Sequence, residues 1–234
     1  MTAMTVDPMT LAEARAGKME ALTHVLATSY PQVWRMAVNL SGRESTGRDI
    51  AAAVMRRSLS AAETWEHDEA PARWFRHHTV LMTRDKAPAT PPADDVLMIH
   101  GPADPAYGAF VRAIRGLPHQ QREAFLLNHG EDFDLRLLGI AMDCSVEAAG
   151  VHLRHATTSL QALAGDDFGR FAQLVRGAYK ASAPDESLAL PYARRLVRPS
   201  ILGRIVWLLG WLILIALVMG IAYGLWWIWP RLVL

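Results

Sequence analysis

Residues 134–164 read DLRLLGIAMDCSVEAAGVHLRHATTSLQALA and carry the clearest structural signal in the sequence. Asp134 and Ser145 are good N-caps, because their side-chain oxygens accept hydrogen bonds from the free backbone N–H groups at a helix start. Their spacing predicts a short helix over 135–142 and a longer one over 146–164. A short helix, a tight turn and a longer helix form a helix-turn-helix, in which the second helix enters the DNA major groove. Any tight α-hairpin has the same spacing, so both interpretations stay open.

Two further helices are predicted immediately upstream of this hairpin. Apolar residues recur at helical spacing from Phe110 to Leu117, and Pro118 then opens a second helix, because proline suits the first turn. This second helix is expected to stop at Gly130, since glycine is favoured just after a helix end. Residues 106–165 therefore form one predicted module.

Another helical module is predicted over residues 30–87. Apolar stripes at helical spacing end at Ser41-Gly42, an amphipathic segment begins at Asp49, and a third helix follows Pro71. No run of residues alternates with period 2 between turn signals, so β-strands are not expected. The sequence predicts an all-α fold, with a three-helix domain and a helix-turn-helix domain.

The remaining segments are predicted from their composition. Residues 88–105 contain five prolines and form a Pro-rich linker between the two domains. Residues 1–29 are an N-terminal extension. Residues 166–204 are expected to be an amphipathic helix, packed on the second module rather than on a membrane, followed by an extended tether.

The overall composition excludes several classes of protein. The chain has 234 residues, of which 51% are hydrophobic, so it is not a wholly disordered protein. The single cysteine, Cys144, excludes an intrachain disulfide framework and a multi-cysteine metal site. A formal net charge of +1 gives no overall electrostatic argument for nucleic acid, so DNA binding has to rest on local features.

The C-terminal segment 205–229 contains no charged residue. At about 1.5 Å per residue it exceeds the ~30 Å hydrocarbon core of a bilayer, so it predicts a single transmembrane helix. Arginines concentrated just before it predict an inner-membrane protein with its N-terminal bulk in the cytoplasm. Gly220 and Gly224 are spaced as in membrane-helix dimers, which suggests a homodimer.

Three features of the second module occur in a fixed order: the motif LPHQQREAFLL at 117–127, Cys144-Ser145 before the last helix, and Leu153-Arg154-His155-Ala156 within it. This order resembles region 4 of the extracytoplasmic-function sigma factors. The first module is similar to region 2 of that family, through Leu40-Ser41-Gly42, a helix beginning at Asp49-Ile50, and the Trp74-Phe75 helix. The two resemblances cover somewhat over half of the chain.

This resemblance implies a transcription regulator that binds core RNA polymerase and directs it to promoter DNA. The DNA-binding residues that it implies are Arg73, Arg76, His77 and His78 in the first module, and Ser145, His152, Arg154 and His155 in the second. Arginine and imidazole groups suit phosphates and unpaired bases. The polymerase-binding residues that it implies are Asp49, Ile50 and Ala53.

A second interpretation remains open, in which a degenerate sigma-like fold serves as a membrane-tethered protein-interaction module without promoter recognition. Two observations keep it open. Residues 51–53 are all alanine where the family has a polar pair, and residues 107–165 carry five basic and six acidic residues. So few cations would neutralise few phosphates.

Neither an enzyme nor a cofactor is expected from the sequence. The pairs His77-His78 and His152 with His155 lack a third ligand at a recognisable spacing, so no metal site is predicted. Cys144 has no His and acid partner that the sequence identifies, and glycine-rich phosphate-binding loops are missing.

Overall fold

The structure is a computed structural model that describes residues 6–84, 86 and 94–198, together with 211, 214, 215 and 217–219. The chain divides into two compact units, Met1–Val197 and Arg198–Leu234. In the described residues of the first unit the α-helices are α1 (Pro8–Arg15), α2 (Met19–Ser41), α3 (Glu44–Ala61), α4 (Ala70–Arg84), α5 (Val96–Ile99), α6 (Pro105–Gly116), α7 (His119–Glu131), α8 (Leu135–Met142), α9 (Val146–Ala164), α10 (Phe168–Ala181) and α11 (Ala189–Val197). The regular elements described are all helical, which confirms the all-α prediction.

Helices α2, α3 and α4 pack on one another and form the core of the first module. Helix α2 ends at Ser41, and Gly42 adopts a left-handed conformation with φ 78°, as the turn prediction required. Helix α3 begins at Glu44, earlier than the predicted Asp49. A Cβ at Gly47 would lie 2.4 Å from the Cα of Val38, so glycine lets the first turn of α3 lie directly against α2.

The predicted extended tether contains helix α11, which packs against α2. Ala189 and Ala193 are buried one turn apart, and the ring of Tyr192 stacks on Tyr30 with centroids 4.5 Å apart. Pro191 is compatible with this helix because it lies in the first turn, where backbone N–H groups have no helical acceptor. The prediction of an extended tether, which rested on the prolines, is therefore wrong for residues 189–197. The apolar face of this segment packs on α2 and stabilises a helix.

Helices α6 to α10 surround a second apolar core that includes Phe110, Phe125 and Leu160. Helix α10 packs on α7, α9 and α6 and also on α5, so this amphipathic segment covers the second module, as expected. Helix α7 does not stop at Gly130. It ends at Glu131, and Asp132 adopts the left-handed conformation with φ 57°.

The second half of the predicted linker is structured. Asp95 caps the short helix α5 by accepting a hydrogen bond from the Leu97 N–H at 2.9 Å. Tyr107 at the start of α6 donates its hydroxyl hydrogen to the Leu97 carbonyl at 2.9 Å, and the Val96 N–H donates to the Gly42 carbonyl at 3.0 Å. This segment therefore binds to both modules, and residues 6–197 belong to one compact unit.

The prediction for the C-terminal segment is corrected. Across the residues that the structure describes, no helix combines the length and apolar character needed to cross a bilayer. The predicted span 205–229 lies outside the described residues except at 211, 214, 215 and 217–219. This finding contradicts the predicted transmembrane helix and inner-membrane location, whereas the membrane as a partner stays a prediction. The homodimer contact at Gly220 and Gly224 also lies outside the described residues.

Candidate nucleic-acid interface

The helix-turn-helix is formed by α8, a three-residue turn and α9. Asp134 accepts a hydrogen bond from the Leu137 N–H at 2.8 Å, and the Ser145 hydroxyl oxygen accepts one from the Ala148 N–H at 3.1 Å. Both predicted N-caps and the bounds of both helices are confirmed. Asp143 makes the turn with φ 58°. Ser145 is thus occupied in capping α9.

The turn is tight because Gly139 of α8 lies against it. A Cβ at this position would approach the Cys144 carbonyl oxygen to 2.9 Å. The Cys144 side chain is half-buried, and burial raises the pKa of its thiol. A thiol with a raised pKa forms less of the nucleophilic thiolate, so packing is the role that this environment favours.

Helix α9 presents a continuous exposed face. Glu147, Val151, Arg154 and Thr158 are exposed and recur at intervals of three or four residues, which places them on one side of a helix. His155 is exposed beside Arg154, whereas His152 is half-buried. The face carries one acid and one arginine, so shape and local contacts must contribute more to any DNA binding than net charge does.

The four candidate residues of α4 point in different directions. Arg73 is exposed, but Arg76 is buried, with its guanidinium carbon 5.2 Å from the centre of the Phe133 ring. Burial lowers the pKa of Arg76. Its interaction with an aromatic face of the second module is a packing role. Arg76 is therefore corrected from a DNA-contacting residue to an interior one.

His77 and His78 are both half-buried. The His78 ring lies on Trp74 with centroids 3.9 Å apart and an interplanar angle of 17°, and its Nδ1 is 3.0 Å from the Trp74 carbonyl oxygen. Burial lowers the pKa of His78, although the bond to the carbonyl opposes that shift. The neutral imidazole is therefore favoured, and it forms an aromatic stack with Trp74.

A cleft of about 830 Å³ lies between the start of α4 and the helix-turn-helix. It brings together four of the predicted residues, Arg73, His77, His78 and Ser145. The other four, Arg76, His152, Arg154 and His155, do not line it. The cleft has other side chains that carry chemistry, and the sequence analysis predicted none of them as site residues: Trp65, Trp74, His67, Arg136, Asp143 and Cys144. Arg136 can be identified from the sequence as the basic residue of α8. Nothing near it in the sequence indicates that it faces α4 across a cleft.

The three predicted polymerase-binding residues lie within α3, past its first turn, and differ in exposure. Asp49 is exposed, Ala53 is half-buried, and Ile50 is fully buried in the core of the first module. Ile50 is therefore unavailable to a partner in this conformation and stabilises the contact of α3 with its own module. Asp49 remains accessible.

Three arginine–carboxylate pairs join the two modules or the segment between them, and sequence reasoning missed all three. Arg84 binds Glu123, Arg35 binds Glu131, and Arg115 binds Asp95, each with a closest N–O distance of 2.6–2.7 Å. Arg115 also donates to the Asn39 carbonyl oxygen at 2.7 Å. Every carboxylate in this set is almost completely buried. Removing one partner would leave a buried charge without its counter-ion, which costs several kcal/mol of stability. These pairs therefore hold the modules together.

Helix α4 also packs along α8, so the helix-turn-helix covers one side of α4.

No protein-family model matches the sequence, and no curated protein matches it either. The relation to the sigma factors therefore remains a resemblance carried by the motifs and their order.

Proposed function

We propose that the chain is a sigma-factor-like transcription regulator that binds core RNA polymerase and contacts promoter DNA through α9. The observation that carries the proposal is the pair of capped helices α8 and α9, with the side of α9 around Val151 and Arg154 exposed. In a helix-turn-helix the second helix contacts base edges through its N-terminal half. Val151 supplies an apolar contact suited to thymine methyl groups, and Arg154 supplies a cation for phosphate or guanine.

The packing of α4 on α8 adds a requirement to this proposal. If α4 contacts melted promoter DNA, as the resemblance implies, its covered side has to be released from α8. The buried pairs Arg84–Glu123 and Arg35–Glu131 oppose that release. Binding of core polymerase is then the event that separates the modules, because a ligand shifts an equilibrium only toward the state that it binds better.

Run-off transcription with purified core RNA polymerase tests the proposal. The full chain should co-purify with core polymerase and direct transcripts from promoters selected from a genomic library. Val151→Asp places an acid on the exposed face of α9 and should abolish promoter-dependent transcripts. Leu163→Asp makes the same kind of change at an exposed position near the end of α9 and is the matched control. Absence of polymerase binding, or equal activity of Val151→Asp and wild type, would overturn the proposal.

The second candidate is a sigma-like fold that acts as a protein-interaction module without promoter recognition. Burial of Arg76 and the three buried ion pairs favour it, because these contacts hold the two modules against each other and keep one side of α4 covered. This candidate predicts partner binding with no transcripts, and no effect of Val151→Asp on partner binding. The same transcription and co-purification experiment therefore separates the two functions.

A further inference from the structure

The cleft between α4 and the helix-turn-helix has two chemically different walls. The α4 wall carries Arg73 and the stacked Trp74 and His78, while the facing wall carries Arg136 and the N-terminus of α9 at Ser145. Its volume of about 830 Å³ falls within the range of small-molecule sites, which is about 300–1,000 Å³. The cleft can therefore hold a ligand of considerable size.

The aromatic groups of the cleft suit a flat ring. Trp74 and His78 form a nearly parallel stack, and His77 meets His78 edge-on at an interplanar angle of 86°. All three rings line the cleft, so a planar ligand can extend the stack. Stacking on aromatic side chains is the usual way in which proteins bind a nucleobase outside a duplex.

Trp65 lines the same cleft and carries a buried donor that lacks an acceptor in the described part of the chain. Trp65 is 1% exposed, and its indole N–H has no hydrogen-bond partner among the described residues. Buried indole N–H groups ordinarily have an acceptor, because leaving one unpaired costs free energy. A ligand with a ring nitrogen or carbonyl oxygen near Trp65 would supply it.

The polar groups of the cleft suit a phosphate. The Arg73 side chain has no ion pair or hydrogen bond within the described part of the chain, and the Arg136 side chain has a loose contact of 3.9 Å to Glu69. The N-terminus of α9, a helix of 19 residues, adds free backbone N–H groups and the positive end of its dipole at Ser145. Asp143 is the carboxylate on this wall, and carboxylates accept hydrogen bonds from ribose hydroxyls.

From these groups we propose that the cleft binds a free purine nucleotide, with its base stacked against Trp74 and His78 and its phosphate between Arg73, Arg136 and the start of α9. The proposal goes beyond the proposed function, since it needs neither promoter nor polymerase. Because the two walls belong to different modules, a bound nucleotide contacts both and stabilises their closed arrangement.

Isothermal titration calorimetry of the full chain with AMP and with GMP tests the proposal in the absence of DNA and polymerase. Adenosine and inorganic phosphate are titrated separately, so that the base and the phosphate are assessed one at a time. A single-stranded oligonucleotide of ten adenines distinguishes a free nucleotide from an unpaired base in a strand. We expect saturable binding of AMP or GMP, weaker binding of adenosine and of phosphate, and no tighter binding of the oligonucleotide.

Three variants locate the site. Trp74→Ala removes the stacking ring and should weaken nucleotide binding by at least about tenfold. Arg73→Gln changes an exposed side chain and should weaken AMP binding while leaving adenosine binding unchanged; it also covers the case in which Trp74→Ala fails to fold. Arg112→Gln, an exposed arginine on α6 outside the cleft, is the matched control and should bind as wild type does.

Absence of AMP and GMP binding, or binding that Arg73→Gln leaves unchanged, would overturn the proposal. Preference for the oligonucleotide over both nucleotides would overturn it as well, because the ligand would then be a nucleic-acid strand. Each of these results leaves the transcription assay unaffected, so failure of the nucleotide site and failure of the proposed function are distinguishable.

Discussion

Arg84 on α4 and Glu123 on α7 form a two-pronged ion pair between the two modules. The Arg84 Nε donates to Glu123 Oε1 at 2.9 Å and its Nη2 donates to Oε2 at 2.7 Å. The same Nη2 donates to the Met142 carbonyl oxygen at 2.9 Å, at the end of α8. One side chain of the first module thus binds two helices of the second. The hydrogen bonds to Glu123 raise the pKa of Arg84, so the guanidinium stays charged.

Arg84→Ala should therefore destabilise the closed unit strongly. It leaves the Glu123 carboxylate, 6% exposed, without its cation, and the expected loss is about 3 kcal/mol of unfolding free energy in urea titrations. Arg48→Ala is the control, because Arg48 pairs with Glu44 on the surface and lies 5.8 Å from the centre of the Trp34 ring, and its loss should cost only about 1 kcal/mol. Equal effects of the two substitutions would show that Arg84 does not hold the modules together.

Two glycine substitutions test the packing of α10 on α7. A Cβ at Gly130 would lie 2.5 Å from the Tyr179 ring, and Tyr179 is fully buried, so Gly130→Ala should cost about 1–3 kcal/mol. Gly177 lies in α10 with open space around it. Gly177→Ala should stabilise the protein by about 0.5–1 kcal/mol, because alanine favours the helix. In thermal unfolding, Gly130→Ala should lower the Tm relative to wild type and Gly177→Ala should raise it.

Stability should decrease as the pH falls below about 6.5, the ordinary histidine pKa. Burial lowers the pKa of both His78 and His129, so the unfolded chain binds protons that the folded protein resists. The contribution of these two histidines to the unfolding free energy is complete above their pKa in the unfolded chain. It is lost as the pH falls through their lower pKa in the folded protein. Urea unfolding at pH 7.5 and 5.5 should show the decrease.

The double variant His78→Gln with His129→Gln should reduce that pH dependence. Gly47→Ala is a suitable control, because the added methyl group meets Val38 and changes no titratable side chain, so it should lower stability by similar amounts at both pH values. A difference between the two pH values that persists undiminished in the double variant would assign the effect to other groups.

Arg154→Ala tests the outward face of α9 without disturbing the fold. Arg154 is exposed, so the unfolding free energy should stay within about 0.5 kcal/mol of wild type. Promoter binding, measured by fluorescence anisotropy at fixed salt, should weaken by about 1–3 kcal/mol. Arg112→Ala removes an exposed arginine from α6 and should leave binding unchanged. Unaltered binding of Arg154→Ala with retained stability would count against a DNA-facing α9.

Local chemistry accounts for what was predictable in the candidate site. Asp134 and Ser145 specify the starts of α8 and α9 because a cap acts within three residues of itself. The cleft was not predictable in the same way. Trp74 and Arg136 lie on walls from different modules, and no spacing along the chain indicates that they face each other.

The sequence by itself determined the helical class, the caps and the amphipathic faces, since periodicity and capping are properties of neighbouring residues. The tertiary structure decided that Arg76 is interior, that 189–197 is a packed helix, and that the two modules form one unit. The partners of Arg84 and Arg35 are 39 and 96 residues distant along the chain. Pairing at such separations depends on how whole helices pack, and only the folded chain specifies it.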